Sequence, residues 1–65
     1  MTELQQAVFM VVQAREPVRT SRVADVIGIK TRSALSALKA LEKQGRVSRH
    51  PRYTYANDIS WEISP

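Results

Sequence analysis

Residues 20–45 constrain the fold of this 65-residue chain more than any other stretch of it. Apolar residues recur there at helical spacing on both sides of Gly28, and before the glycine they are Val23, Val26 and Ile27. Glycine adopts the left-handed conformation that ends many helices without a Cβ clash, so Gly28 suits a tight turn. We therefore predict a helix that Thr20 caps and Gly28 ends, followed by a second over residues 31–44 that Thr31 caps.

The second of these helices is amphipathic. On a helical wheel of about 100° per residue, one stripe is apolar and is predicted to be buried; it consists of Ala34, Ala37, Leu38 and Leu41. The opposite sector is basic and hydroxyl-bearing, and it holds Arg32, Ser36, Lys39 and Lys43. Leu35 lies at the edge between the two sectors, and the sequence favours neither packing in the core nor contact with a bound partner. Gly45 is predicted to end the helix.

The chain before this unit predicts one more helix and a short extended segment. Thr2 is suited to cap a first helix that runs to about Ala14 and carries Leu4, Val8, Val11 and Val12 at helical spacing. Pro17 ends it, because proline lacks the backbone N–H and disfavours a helical residue before it. Residues 17–19 then read as extended, with at most a one- or two-residue edge strand.

After Gly45 the hydrophobic period changes to two. Val47 alternates with polar neighbours, and so do Ile59, Trp61 and Ile63, which predicts antiparallel strands over about 46–50 and 59–63. An isolated two-stranded hairpin is not stable, so its apolar face should pack on the helices, with Trp61 in the core. The predicted fold is α+β and mainly α, a single domain over residues 1–65: three helices followed by a two-stranded antiparallel β-wing.

Charge is segregated along the chain. Residues 1–29 balance three arginines against three acids, whereas residues 30–52 hold seven lysines and arginines against one glutamate. Residues 53–65 carry two acids and no basic residue. This concentration of positive charge on the second helix and the segment after it is what a binding surface for a polyanion predicts.

Several classes of function are disfavoured. The sequence has no cysteine and one histidine, which excludes a disulfide framework and a thiolate metal site, and we expect neither a metal nor a cofactor. It has no glycine-rich phosphate loop and no pair of carboxylates placed in a predicted pocket, so we do not expect an enzyme. No apolar run is long enough for a membrane span and no signal peptide is evident, which predicts a cytoplasmic protein.

Two stretches together resemble the winged helix-turn-helix family of bacterial regulators. They are Val18-Arg19-Thr20-Ser21-Arg22-Val23-Ala24-Asp25-Val26-Ile27-Gly28-Ile29 and Leu38-Lys39-Ala40-Leu41-Glu42-Lys43-Gln44-Gly45-Arg46-Val47-Ser48-Arg49. Three features carry the resemblance: the alanine in the middle of the helix before Gly28, the glycine–aliphatic turn, and the ending Leu-Glu-Lys-x-Gly-x-Val. Their spacing to one another and to the later wing fits this family. The chain looks most like the minimal members, the small fimbrial-operon regulators and single-domain MarR-like proteins.

The charge pattern and this resemblance imply a sequence-specific regulator of transcription that binds double-stranded DNA. Helix 31–44 would enter the major groove, and the wing loop 50–58 would lie on the backbone or in the minor groove. Arg32, near the helix start, is placed to read a guanine edge, whereas Lys39 and Lys43 would hold phosphates. The predicted DNA-binding residues are Thr20, Ser21, Arg22, Thr31, Arg32, Ser33, Ser36, Lys39, Lys43, Arg49, Arg52 and Tyr53.

Two questions stay open at the level of sequence. The basic surface suits any polyanion, so the alternative to DNA binding is a winged helix that binds an acidic protein. A protein partner in transcription is one such candidate. Dimerisation is also open, because such regulators often bind two half-sites as homodimers. The flank of the first helix that carries Phe9 and Met10 is the one surface this sequence offers for it.

Overall fold

A computed structural model describes residues 1–51 and 58–65 of the chain. These residues form three helices and three strands. Along the chain they are α1 (Glu3–Arg15), β1 (Val18–Arg19), α2 (Thr20–Ile27), α3 (Thr31–Lys43), β2 (Val47–Arg49) and β3 (Ser60–Ile63). The mainly helical α+β winged fold predicted from the sequence is confirmed. The middle of the predicted wing loop lies outside the described residues.

Helix α1 begins as its first residues predict. The Thr2 hydroxyl accepts a hydrogen bond from the backbone N–H of Gln5 at 3.1 Å, and the Gln5 side chain accepts one from the Thr2 N–H at 3.2 Å. This reciprocal capping box satisfies two amides that the helix itself leaves without partners. The helix ends at Arg15, one residue beyond the prediction, immediately before the extended Glu16–Pro17 pair.

Glycines end the other two helices. Gly28 has a φ of 83°, and its N–H bonds the carbonyl of Ala24 at 2.8 Å, which confirms it as the turn between α2 and α3. Gly45 has a φ of 76° and donates to Glu42, while Arg46 donates to the carbonyl of Leu41, both at 2.9 Å. This pair of bonds is a Schellman motif, which a left-handed glycine favours.

Both predicted N-caps of the helix-turn-helix are wrong. Arg19 and Lys30 occupy the capping positions of α2 and α3, and neither makes a capping hydrogen bond through its side chain. Thr20 and Thr31 are instead the first helical residues. For Thr20 the reason is tertiary: its hydroxyl accepts a hydrogen bond from the indole N–H of Trp61 and donates one to the carbonyl of Ile59, both at 2.8 Å.

The sheet has one strand more than the predicted wing. Its order is β1-β3-β2 and both pairings are antiparallel, with Val18 opposite Trp61 and Val47 opposite Ile63. The short extended segment after α1 therefore forms the edge strand that the sequence allowed, and it ties the start of α2 to the wing. The wing strands are each shorter than the predicted spans of 46–50 and 59–63.

The core lies between the three helices and one face of the sheet. The predicted stripe of α3 is confirmed, since its four members are the buried residues of that helix. Trp61 is fully buried, as its parity with Ile59 and Ile63 predicts, and those two isoleucines pack half-buried against the same cluster. The fully or almost fully buried apolar residues are Val8, Val12, Val18, Val23, Ala24, Ala34, Ala37, Leu38, Leu41, Val47 and Trp61.

Candidate nucleic-acid interface

The outer face of α3 is a continuous polar surface. Arg32, Ser36, Lys39 and Lys43 are all exposed, as the helical wheel predicts, and the residues that the structure describes offer none of the three cations an ion-pair partner. An ordinary solvated helix face mixes charges of both signs, whereas the charged residues of this one are all positive. We call these four residues the α3 basic face.

The remaining predicted residues of α3 lie around this face. Thr31 is exposed at the helix start and Ser33 is half-buried. Leu35, which the sequence left open, is half-buried and packs against the hydrophobic core. Because α1, α2 and β2 all pack against α3, the helix is held by its buried stripe while its basic face is directed outward.

Arg49 joins the wing to the end of α3. Its guanidinium forms a two-pronged ion pair with Glu42, with the shorter N–O distance at 3.1 Å, and lies 5.5 Å from the ring centroid of Trp61. Both partners of the ion pair are substantially exposed, so it fixes geometry more than it adds stability. A DNA contact by Arg49 stays a prediction, and it would have to share this guanidinium with Glu42.

His50, which follows β2, contacts two residues of β3 at the base of the wing. The backbone N–H of His50 donates to the carbonyl of Ser60 at 2.8 Å, and its imidazole lies 3.8 Å from the Glu62 carboxylate. Arg52 and Tyr53, predicted to contact DNA from the wing loop, lie outside the described residues.

The N-terminus of α2 differs from the prediction. The sequence predicts DNA contacts by Thr20, Ser21 and Arg22 there, but in the structure the Asp58 carboxylate occupies this position: it accepts hydrogen bonds from the Ser21 backbone N–H at 3.0 Å and from the Ser21 hydroxyl. The Thr20 side chain is only 2% exposed and is used within the core. DNA contacts by Thr20 and Ser21 stay predictions: the Thr20 hydroxyl would have to be released from the core, and Ser21 would have to displace a carboxylate.

Arg22 lies on the exposed surface of α2, where it lines an open cleft of about 820 Å³. Two arginines that the sequence analysis missed, Arg15 from the end of α1 and Arg19 from β1, line the same cleft. They were missed because residues 1–29 have no net charge, so the charge distribution does not single them out as a group. The one available indication was that arginines recur there at short spacing.

The architecture defines a class. A helix-turn-helix with an outward basic face on its second helix, followed by a β-hairpin that packs back on the helices, is a winged helix-turn-helix. Solved structures agree on the fold. The zinc-responsive MarR family member ZitR from Lactococcus lactis superposes with a TM-score of 0.81 at 22% identity, covering 98% of this chain and 44% of that one. A cysteine-to-serine mutant of ZitR gives the same TM-score at 19% identity.

Sequence comparison gives the family. Residues 4–64 match the family described as FaeA-like protein, and the chain belongs to it. Two similar Escherichia coli proteins are the F1845 fimbrial adhesin operon regulatory protein DaaF and the Dr hemagglutinin AFA-III operon regulatory protein AfaF. Each is 42% identical over 48 residues, a match that covers 74% of this chain. It spans 63% of DaaF and 55% of AfaF, so this chain aligns with little more than half the length of these relatives.

These relatives are named as regulatory proteins and not as enzymes, which agrees with the expectation that this chain is not one. In the part of the chain that the structure describes, no three or more histidine, aspartate and glutamate side chains are grouped so that they could hold a metal ion. Nor is any helix among those residues long and apolar enough to cross a membrane.

Proposed function

We propose that this protein is a sequence-specific regulator of transcription that binds double-stranded DNA. The α3 basic face enters the major groove, and the wing loop 50–58 lies on the backbone or in the minor groove. One observation carries the proposal: the charged residues of the outer face of α3 are all cations, while the opposite face of the same helix is fully used by the core.

Within this interface the residues have different tasks. Arg32 lies in the first turn of α3, and the N-terminal residues of a recognition helix are the ones that reach base edges. Its guanidinium can bond the two acceptors of a guanine edge together, so it is the proposed source of sequence preference. Lys39 and Lys43 present single point charges further along the helix and hold backbone phosphates. Thr31, Ser33 and Ser36 add short hydroxyl side chains that let the helix lie close to the DNA.

The named relatives support the regulatory part of the proposal. Both DaaF and AfaF are named as regulatory proteins of operons, fimbrial in the case of DaaF. We propose that this chain likewise controls the transcription of an operon by occupying a DNA site. Such a protein acts on DNA, so a cytoplasmic, nucleoid-associated location forms part of the proposal.

The test is selection of bound duplexes from a random pool, followed by affinity measurements on the selected site and on an unrelated duplex. Arg32→Ala should reduce discrimination between the two by about 1–3 kcal/mol, because a bidentate base contact is lost. Lys43→Ala is the matched control: it should weaken both duplexes alike, since a phosphate contact carries no sequence information. If both variants lowered the two affinities equally, Arg32 would not read bases.

A salt series counts the DNA phosphates that the protein engages, and a preferred duplex separates DNA reading from binding of any polyanion. The logarithm of affinity for the selected duplex should fall linearly with the logarithm of salt concentration, with a slope set by the phosphates engaged. No preferred duplex at any salt concentration would overturn the proposal and leave the α3 basic face as a docking surface for an acidic protein. Symmetry of the selected sites, with sedimentation of the free protein, would show whether it acts as a homodimer.

A further inference from the structure

The first 29 residues have no net charge, but the fold separates their charges. All three arginines of this segment, Arg15, Arg19 and Arg22, line the open cleft of about 820 Å³ formed by the end of α1, β1 and α2. Of the acids in the segment, only Asp25 lines it. The lining therefore has three positive charges and one negative charge, on a surface formed by different elements from the α3 basic face.

The neighbouring acids are mostly engaged elsewhere. The Glu16 carboxylate accepts a hydrogen bond from the backbone N–H of Ile63 at 3.2 Å, so β3 holds it. Asp58 does not line the cleft, and it accepts hydrogen bonds from the N–H and the hydroxyl of Ser21. Arg15 and Arg22 have no ion-pair partner among the described residues. Two arginines from different helices thus line the cleft, and neither forms an ion pair with Asp25 or with another described carboxylate.

We propose that this arginine cleft binds a phosphate group. A guanidinium presents its donors in a planar fork that matches phosphate oxygens, and several forks can bond one phosphate together. A phosphate monoester carries a charge of about −1.5 to −2 at neutral pH, which complements the two guanidiniums of Arg15 and Arg22. The donors are the arginines, because the Ser21 hydroxyl is already committed to Asp58.

The phosphate could belong to the DNA backbone or to a free phosphate-bearing molecule. The DNA source rests on the proposed function, and it would extend the predicted interface beyond α2, α3 and the wing onto β1 and the end of α1. The free source does not depend on DNA binding. The same arginines serve both sources, so the experiment needs one arm for each.

The first arm uses inorganic phosphate alone. Phosphate is titrated into the protein at constant ionic strength, with chloride as the reference anion, while NMR records the side-chain N–H signals of the arginines. The signals of Arg15 and Arg22 should shift in a saturable way. Arg15→Gln and Arg22→Gln should each weaken the apparent affinity several-fold, and the double variant about tenfold or more, as expected when charge-assisted hydrogen bonds are lost.

Arg46→Gln is the matched control, because it removes the same charge from an exposed arginine that does not line the cleft. It should leave the phosphate titration unchanged. Circular dichroism checks that every variant is folded, which we expect because Arg15 and Arg22 are exposed. Shifts that do not saturate, or that persist in the double variant, would overturn the proposal.

The second arm measures the salt dependence of duplex binding for the wild type and the double variant. If a backbone phosphate occupies the cleft, the slope of the log–log plot should fall by about 0.9 for each phosphate lost. An unchanged slope, together with saturable phosphate binding in the first arm, assigns the cleft to a free phosphate-bearing molecule. If the wild-type protein binds no DNA, the proposed function is contradicted. The phosphate titration would still show whether the cleft binds a phosphate group.

Discussion

Helices α2 and α3 form one helix-turn-helix, but they begin in different ways. The first two amides of α2 are bonded from a distant part of the chain: Thr20 donates to the carbonyl of Ile59 and Ser21 to the carboxylate of Asp58, both at 3.0 Å. Among the described residues, no distant group bonds the first amides of α3 in this way. Lys30 occupies its capping position without a side-chain hydrogen bond.

The difference shows how the two helices are positioned. Helix α3 is held by its buried stripe, which is a property of its own sequence. Helix α2 is eight residues long, shorter than isolated helices that persist in water, and its start is fixed by the chain just before β3. The wing and the helix-turn-helix therefore stabilise each other, and a change at the end of the wing should be felt in α2 before it is felt in α3.

The largest effect expected from this comparison is that of Thr20→Val. Valine has nearly the shape of threonine but no hydroxyl, so the buried indole N–H of Trp61 loses its acceptor. A buried donor without a partner costs about 1–3 kcal/mol, and the free energy of unfolding in urea should fall by that amount. The indole N–H of Trp61 should also exchange faster with solvent.

Thr20→Ser is the matched variant, since it keeps the hydroxyl and removes one methyl group. Its loss should stay near 0.8 kcal/mol, the cost of a buried CH₂, and exchange at the Trp61 indole should remain slow. Equal losses in the two variants, with the indole protected in both, would show that packing and not the hydrogen bond connects Trp61 to α2.

Asp58→Ala should have the next largest effect. The Asp58 carboxylate does the work of an N-cap from outside the helix, and removing an N-cap side chain typically costs about 1 kcal/mol. The free energy of unfolding should fall by about that much, and amide exchange should accelerate in the first turn of α2 while that of α3 changes less.

Asp25→Ala tests whether the loss of negative charge explains the result. Asp25 is an exposed acid on α2 with no ion-pair partner among the described residues. Its removal changes the net charge equally and should alter stability by less than about 0.5 kcal/mol. A loss as large as that of the Asp58 variant would contradict the capping role.

The same contrast explains what could be predicted from the sequence. The buried and exposed faces of α3 follow from residue spacing alone, because helical geometry relates neighbours along the chain. The turn at Gly28 and the burial of Trp61 follow from equally local patterns. The capping of α2 does not, since Asp58 is 37 residues from Ser21 and Trp61 is 41 residues from Thr20. Thr20 was predicted to be a local cap because the sequence does not show that the indole N–H of Trp61 binds its hydroxyl.

The candidate site divides in the same way. The α3 basic face was predictable because its members share one helix. The arginine cleft was not, because Arg15, Arg19 and Arg22 come from three elements and are brought together only when β1 pairs with β3 and α2 packs on α1. A sum of charge along residues 1–29 hides this cluster completely.

The smallest expected effect is a gain in stability at the start of α3. Lys30 has the extended backbone of a capping residue, with φ −71° and ψ 145°, but its side chain has no acceptor for the first-turn amides. Lys30→Ser supplies a hydroxyl oxygen there and should raise the free energy of unfolding by about 0.5–1 kcal/mol relative to Lys30→Ala, which removes the same charge without adding an acceptor. Urea unfolding of the two variants measures this difference directly. If serine and alanine were equally stable, the start of α3 would already have all the support it needs, and the contrast with α2 would not hold.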